Sequence, residues 1–319
     1  MSAALTIAVV GVLALSAPAL AAMVVDRRSS PRATAVLHLL ALIGMGFVPI
    51  AMLLCLGGPG SLLRACHGTF EHHSHVLRWI ALGAAGAMVS WLAYTATRTL
   101  RATRAADPAR LRLGLPTAIS GGVPVYLIPV EQPVAYASGI RRGQVVVSEG
   151  LVRLLTKEER RAAVAHEVAH VRGGHPGLLF IGGVVARAFS ALPPARRAFA
   201  SLRRELEAAA DDEAARAVGD PQVVARAIAK VGLAGAAPAP GAALAEEADV
   251  AYRVGRLLEH RPESRPRGVV ALGLAGLLGS GLVASQCGAL HPGALWTGVA
   301  ACSVLVGWVG LRPFRSARH

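Results

Sequence analysis

Long uninterrupted apolar stretches near both ends of the chain enclose a polar, charge-rich middle. Three apolar blocks, residues 3–25, 33–56 and 269–289, reach the length of about 20 residues that a helix needs to cross about 30 Å of hydrocarbon. Two shorter blocks, 79–97 and 295–311, fit the same role. A further stretch, 178–192, is interrupted by Arg187 and closed by Pro193-Pro194. It reads as membrane-apposed or as a re-entrant hairpin rather than as a span. Arg, Glu and Asp concentrate between residues 98 and 267.

Within that middle the periodicity changes. A Pro- and Gly-rich stretch, 105–133, marks the exit from the apolar region. Runs 123–128, 134–137 and 144–148 are rich in β-branched or aromatic residues and bounded by Gly and Pro, which predicts a small antiparallel sheet. Residues 139–143 look like the turn of a hairpin. A helix begins at Thr156, where Glu159 three residues later completes a capping box, and runs through Arg172 until Gly173-Gly174 stops it. A second, charged helix covers about 195–218 and ends at Gly219, and 235–241 reads as an Ala/Pro/Gly linker. No internal repeat is visible. The expectation is a mostly α integral membrane protein with about five transmembrane helices. Three lie in an N-terminal region, 1–97, and two in a C-terminal hairpin, 268–319, with an α+β domain inserted over 98–267.

Composition supports this class, since 54% of the residues are hydrophobic and only 16% charged, too apolar for an ordinary soluble chain of 319 residues. The net charge of +14 raises nucleic acid as a partner, but the arginines cluster beside the apolar blocks. Arg27, Arg28 and Arg32 follow the first; Arg98, Arg101 and Arg104 follow the third; Arg261, Arg265 and Arg267 precede the fourth; Arg312 and Arg315 follow the last. Positive-inside topology accounts for them, and no aromatic residues interleave to stack bases, so the expected partner is a lipid bilayer and not a nucleic acid. The same rule places a multi-pass protein in the cell membrane, with its N-terminus outside and the middle domain and C-terminus cytoplasmic. Residues 1–25 lack a basic leader, so the first block reads as a retained span and not a cleaved signal. By this topology Cys66 and Cys287 both face the outside, where an oxidising exterior permits them to pair as a disulfide. The competing expectation is that Cys66 joins His67, His72, His73 and His75 in an external metal site. The sequence does not set the oligomeric state.

The chemistry lies in His166-Glu167-Val168-Ala169-His170. Histidines at i and i+4 share one helical face, so their imidazoles can converge on a single metal ion. Glu167, beside the first, is placed to take a proton from a metal-activated water and pass it to a leaving amine. One zinc ion per chain, with a coordination position left open, is the cofactor this spacing points to, and a protein or peptide is the substrate. A third histidine at the long spacing would stand at position 176, which is Pro176, while the histidine is His175. The acidic helix offers Glu205, Glu207, Asp211, Asp212 and Glu213 instead. Glu207 and Asp211 lie one turn apart on a common face, so one can bind the metal while the other orients a ligand histidine. His175 is a further candidate for that supporting place.

Several runs resemble the membrane-embedded gluzincin peptidases: Ala135-Tyr136-Ala137-Ser138-Gly139, Val145-Val146-Val147-Ser148-Glu149-Gly150-Leu151, Leu155-Thr156-Lys157-Glu158-Glu159, and the His166 to His170 segment. The resemblance is to the antirepressor peptidases of family M56, to which the bacterial β-lactam receptors belong, and to the related family M48 of HtpX-type heat-shock proteases and CAAX prenyl proteases. Both carry Glu-x-x-x-Asp in a downstream helix, and Glu207-Ala208-Ala209-Ala210-Asp211 matches it. The likeness, over roughly 121–219, implies Glu207 as the third zinc ligand and Asp211 as its supporting residue. It also implies that Ala135, Tyr136 and Ala137 form an edge strand on which substrate backbone pairs. The activity it implies is endoproteolysis of a cytoplasmic or membrane-proximal protein. A membrane scaffold or sensor that keeps the fold and metal without cutting is the alternative, against which the intact His166, Glu167, His170 and Glu207 argue. The chain stops at His319, so β-lactam sensing through a sensor after the last span is not expected. No oxyanion-stabilising residue can be picked out.

Overall fold

The computed structural model describes residues 30–57, 75–105, 117–139, 143–235 and 240–259. The expected spans 3–25, 269–289 and 295–311, and both Cys66 and Cys287, lie outside these residues. The described residues divide into two compact units.

The first unit contains α1 (Pro31–Gly57), α2 (His75–Ala105) as far as Ala102, and Phe180–Leu202. Both α1 and α2 are long and apolar enough to cross a membrane, over Pro31–Ile50 and Arg78–Arg104. Helix α1 buries a stripe of Ala35, Leu39, Leu42 and Met45. Helix α2 leaves Trp79, Ile80, Val89, Trp91 and Tyr94 exposed, a surface too apolar to face water economically along its whole length. The stretch 178–192 is no hairpin within itself. It falls in α5 (His175–Ala188), a helix of 14 residues and so about 21 Å long, which turns at 189–192 into α6 (Pro193–Val218). Its Arg187, the charge that interrupts the apolar run, donates from Nη1 to Thr99 Oγ1 at 2.8 Å. A Cβ on Gly182 would press on Leu202, Phe199 and Leu42, so the absence of a side chain there lets three helices meet.

The second unit is built on a four-stranded sheet ordered β1-β2-β4-β3, with β1 at Ala118–Ser120, β2 at Val123–Ile128, β3 at Ala135–Ser138 and β4 at Gln144–Ser148. Gly121 and Gly122, at φ 54° and 78°, form the two-residue turn between β1 and β2, a conformation that favours glycine. The sheet is mixed and not antiparallel as expected, because β2 pairs with β4 in parallel. The reason lies at Gly150. After β2 the chain passes over the start of the next helix, where Gly150 N–H donates to Val130 O at 3.0 Å and any Cβ on Gly150 would overlap the Glu131 carbonyl. Ser148 Oγ secures the crossing, donating to Gln132 O at 2.7 Å and accepting from Val134 N–H at 2.9 Å. The chain then returns as β3, antiparallel to β4, and so takes the sheet edge.

Helix α3 (Glu149–Leu154) starts from the Ser148 cap, and α4 (Lys157–Gly173) from Thr156 and Glu159, whose capping box is formed. Lys230 of α7 (Pro221–Gly235) donates to the buried Glu159 at 2.7 Å and ties that cap to the next layer. Val123, Val125, Val145, Val147, Leu151 and Leu155 meet Ala162 and Val168 of α4 and Val223 and Val224 of α7 in one core. Helix α8 (Pro240–Leu258) completes the unit; of the expected linker, only residues 236–239 separate it from α7.

Candidate metal centre

Helix α4 uses its two faces differently. Val168 turns into the core with Val164 and Val171 packed beside it, while His166 and His170, four residues apart, project from the same helix toward α6. Their Nε2 atoms stand 3.1 Å apart. Glu207 of α6 meets both, with Oε2 3.3 Å from His166 Nε2 and Oε1 3.5 Å from His170 Nε2. Donors about 2.0–2.1 Å from a tetrahedrally held ion stand about 3.3 Å apart, so this triangle has the size a metal requires. Two imidazoles and a carboxylate also form a donor set used in catalytic zinc sites, with a fourth position left for a reactant. The residues therefore fit a metal ion.

Each of the three donors is held from behind. His170 Nδ1 lies 3.0 Å from Nδ1 of the buried His175. Of these two nitrogens one must carry the proton, and a protonated His170 Nδ1 leaves its Nε2 lone pair toward the triangle. The chain reaches this arrangement because Gly174 ends α4 in the left-handed region at φ 67° and Gly173 has no side chain; a Cβ there would collide with the His175 ring. His166 Nδ1 lies 2.9 Å from Oδ1 of Asp211, which is fully buried, although the N–H does not point along a hydrogen-bond line. Asp211 is itself gripped by Arg253 of α8, through Nε at 2.8 Å and Nη2 at 2.7 Å. Arg253 also places Nη1 3.2 Å from Glu207 Oε2. One turn along α8, Arg256 forks onto Asp212 at 3.1 and 2.7 Å and caps the Ala208 carbonyl at 2.6 Å. The two arginines thus clamp both ends of the α6 turn that carries Glu207.

Glu167 is half-buried beside His166, and among the described residues no cation pairs with it, leaving its carboxylate available for proton transfer. Ala135, Tyr136 and Ala137 lie in β3 at the sheet edge. Of the other acidic residues of α6, Glu205 does not join the triangle, and burial raises its carboxyl to about 6. Arg253 and Arg256 belong to none of the motifs in the sequence and reach the site only through α8. The available signal was two arginines three residues apart among Val250, Val254 and Leu257, at helical spacing.

The charges around His166 set a pH dependence. Burial disfavours the cation on His166, but contact with Asp211 and Glu207 outweighs it and raises the imidazole from 6.5 to about 10. The stabilisation from protonated His166 is therefore complete below 6.5 and is lost as pH rises through about 10. Metal binding runs in the opposite sense, because a ligand imidazole must be neutral. Its apparent affinity is expected to rise about tenfold per pH unit between pH 7 and 9, with about one proton released per ion. Calorimetric titration in two buffers of different protonation enthalpy counts that proton, and a count of zero would refute the assignment.

Residues 120–192 match peptidase family M48. A protein named Protease HtpX homolog from Aquifex aeolicus (strain VF5) is 36% identical over 70 residues, covering 21% of this chain and 23% of that protein. Its namesake from Sulfurovum sp. (strain NBC37-1) is 44% identical over 64 residues, 19% and 22% of the two chains. That of Caldanaerobacter subterraneus subsp. tengcongensis is 28% identical over 112 residues, 31% and 38%. The chain thus spans between 22% and 38% of the length of these relatives. No solved structure matches it. The family match runs from the end of β1 through α5 and includes His166, Glu167, His170 and His175.

Proposed function

We propose that the protein is a zinc-dependent endopeptidase of the cell membrane that cuts a cytoplasmic or membrane-proximal protein, as a step of regulatory proteolysis. The observation that carries this reading is the triangle of His166, His170 and Glu207, with donor separations of 3.1, 3.3 and 3.5 Å and the uncommitted Glu167 beside it. Zinc held there supplies a Lewis acid that acidifies water to near neutrality and polarises a carbonyl. The chain's own groups do the rest. Glu167 takes a proton at its carboxylate and returns it to the departing amine. Asp211 and His175 fix the rings of His166 and His170, and Arg253 holds Asp211 and Glu207 in register. An extended substrate pairs its backbone with β3, which explains how a cleft of this kind tolerates varied side chains. Five spans with the peptidase domain and C-terminus inside and the N-terminus outside complete the proposal, and the M56 antirepressor peptidases share its chemistry.

The test compares the membrane and soluble proteins of cells expressing wild type with those of cells expressing Glu167→Gln. At least one protein is expected to accumulate uncut in the variant and to show a new N-terminus in the wild type. Identical protein profiles and N-termini in the two strains would favour a scaffold that holds the metal without cutting.

A further inference from the structure

We propose that the face of α2 carrying Trp91, Tyr94, Arg98 and Arg101 binds the phosphate headgroup of an anionic phospholipid at one border of the bilayer. The proposal rests on the membrane reading above. Arg78 and Arg98 are 20 residues apart on one continuous helix, which places them about 30 Å apart, the thickness of a hydrocarbon core. Between them α2 has no acidic or basic residue. Trp79 stands next to the first arginine and Tyr94 one turn before the second, the positions of interfacial aromatic residues, with Trp91 one turn further in.

At the Arg98 end these side chains are assembled and not merely adjacent. Trp91 and Tyr94 stack with centroids 5.7 Å apart, and the Arg98 guanidinium lies over the Tyr94 ring at 5.9 Å. Trp91 Nε1 donates to Ala188 O at 3.1 Å, which anchors the stack while the residue stays 51% exposed. Residues 91, 94, 98 and 101 follow the i, i+3, i+7, i+10 spacing of a single helical face. The other face is committed to the protein: Thr95 and Thr99 are buried, and Thr99 accepts from Arg187. Among the described residues no carboxylate pairs with Arg98 or Arg101, so two exposed guanidinium groups stand at the end of an apolar, aromatic-edged helix with their charge unanswered. An anionic headgroup answers both features. Its phosphate accepts the paired N–H groups of an arginine, and its chains cover the apolar surface below.

The full chain, purified in detergent, is mixed with equal amounts of phosphatidylglycerol and phosphatidylcholine, and the retained lipids are counted by native mass spectrometry. Wild type is expected to retain phosphatidylglycerol preferentially. Arg98→Gln/Arg101→Gln is expected to lower that preference by about 25-fold, taking about fivefold for each arginine. Arg98→Lys/Arg101→Lys is expected to recover part of it. Equal retention of the two lipids by wild type, or a preference unchanged by Arg98→Gln/Arg101→Gln, overturns the proposal. Displacement of the lipid by inorganic phosphate overturns it too, because the site would then be a phosphate site. Extraction of wild type from membranes by alkaline carbonate would instead overturn the membrane reading beneath it.

Discussion

Glu167→Gln should retain its metal at one equivalent per chain and lose about 10²–10⁴-fold in peptidase turnover, the range that a positioned acid–base group contributes. Glu167 lies outside the triangle of His166, His170 and Glu207, so the amide removes no ligand atom. It is close in shape to the carboxylate, and among the described residues Glu167 supports no ion pair whose loss would disturb α4. What the amide cannot do is accept a proton. Metal analysis of the purified variant beside its rate on an unstructured protein substrate separates the two effects. Turnover within tenfold of wild type would remove Glu167 from the mechanism. Loss of metal would show that the residue is a ligand after all.

Glu207→Ala should release the metal almost entirely, by more than the 10–100-fold loss in affinity typical of residues that only support a ligand. The loss acts twice. It deletes one donor of three, and it leaves Arg253, whose Nη2 lies 3.5 Å from His166 Nε2, without the Glu207 carboxylate that meets its Nη1. That uncompensated cation disfavours a second positive charge nearby. His175→Ala, by contrast, removes only the hydrogen bond behind His170 and should stay within the supporting range. Competition titrations with a chromogenic chelator rank the two variants. Glu207→Ala binding as tightly as wild type, with His175→Ala losing the metal, would reverse the assignment.

The elements best legible in the sequence were those whose signals are local. The capping box of Thr156 and Glu159, the Gly173-Gly174 stop and the i, i+4 histidines are all written within one helix, and α4 forms with those limits. The limits of β2 and β4 were legible for the same reason, since each is a short β-branched run closed by turn residues. The strand at Ala118–Ser120 was not anticipated, because three residues carry too little periodicity to be told from loop. Helices α7 and α8 are hard to read from the sequence although their spacing is helical, since their Ala and Gly content resembles that of the linker between them.

What the sequence by itself determined is the chemistry of the site: which donors exist, and that His166 and His170 share a face, because 3.6 residues per turn leaves four-residue neighbours no other choice. It also determined that α1 and α2 are long apolar helices, because length and composition suffice for that. The tertiary structure decided the rest. Glu207 meets the histidines from 37 residues beyond His170, and Arg253 reaches Asp211 from 42 residues further still, separations over which no periodicity operates. The parallel pairing of β2 with β4 likewise depends on the close approach of Glu131 to Gly150. In each case the deciding energy is a contact between segments that the chain brings together only once its core has formed, and so the local pattern of either segment alone does not contain it.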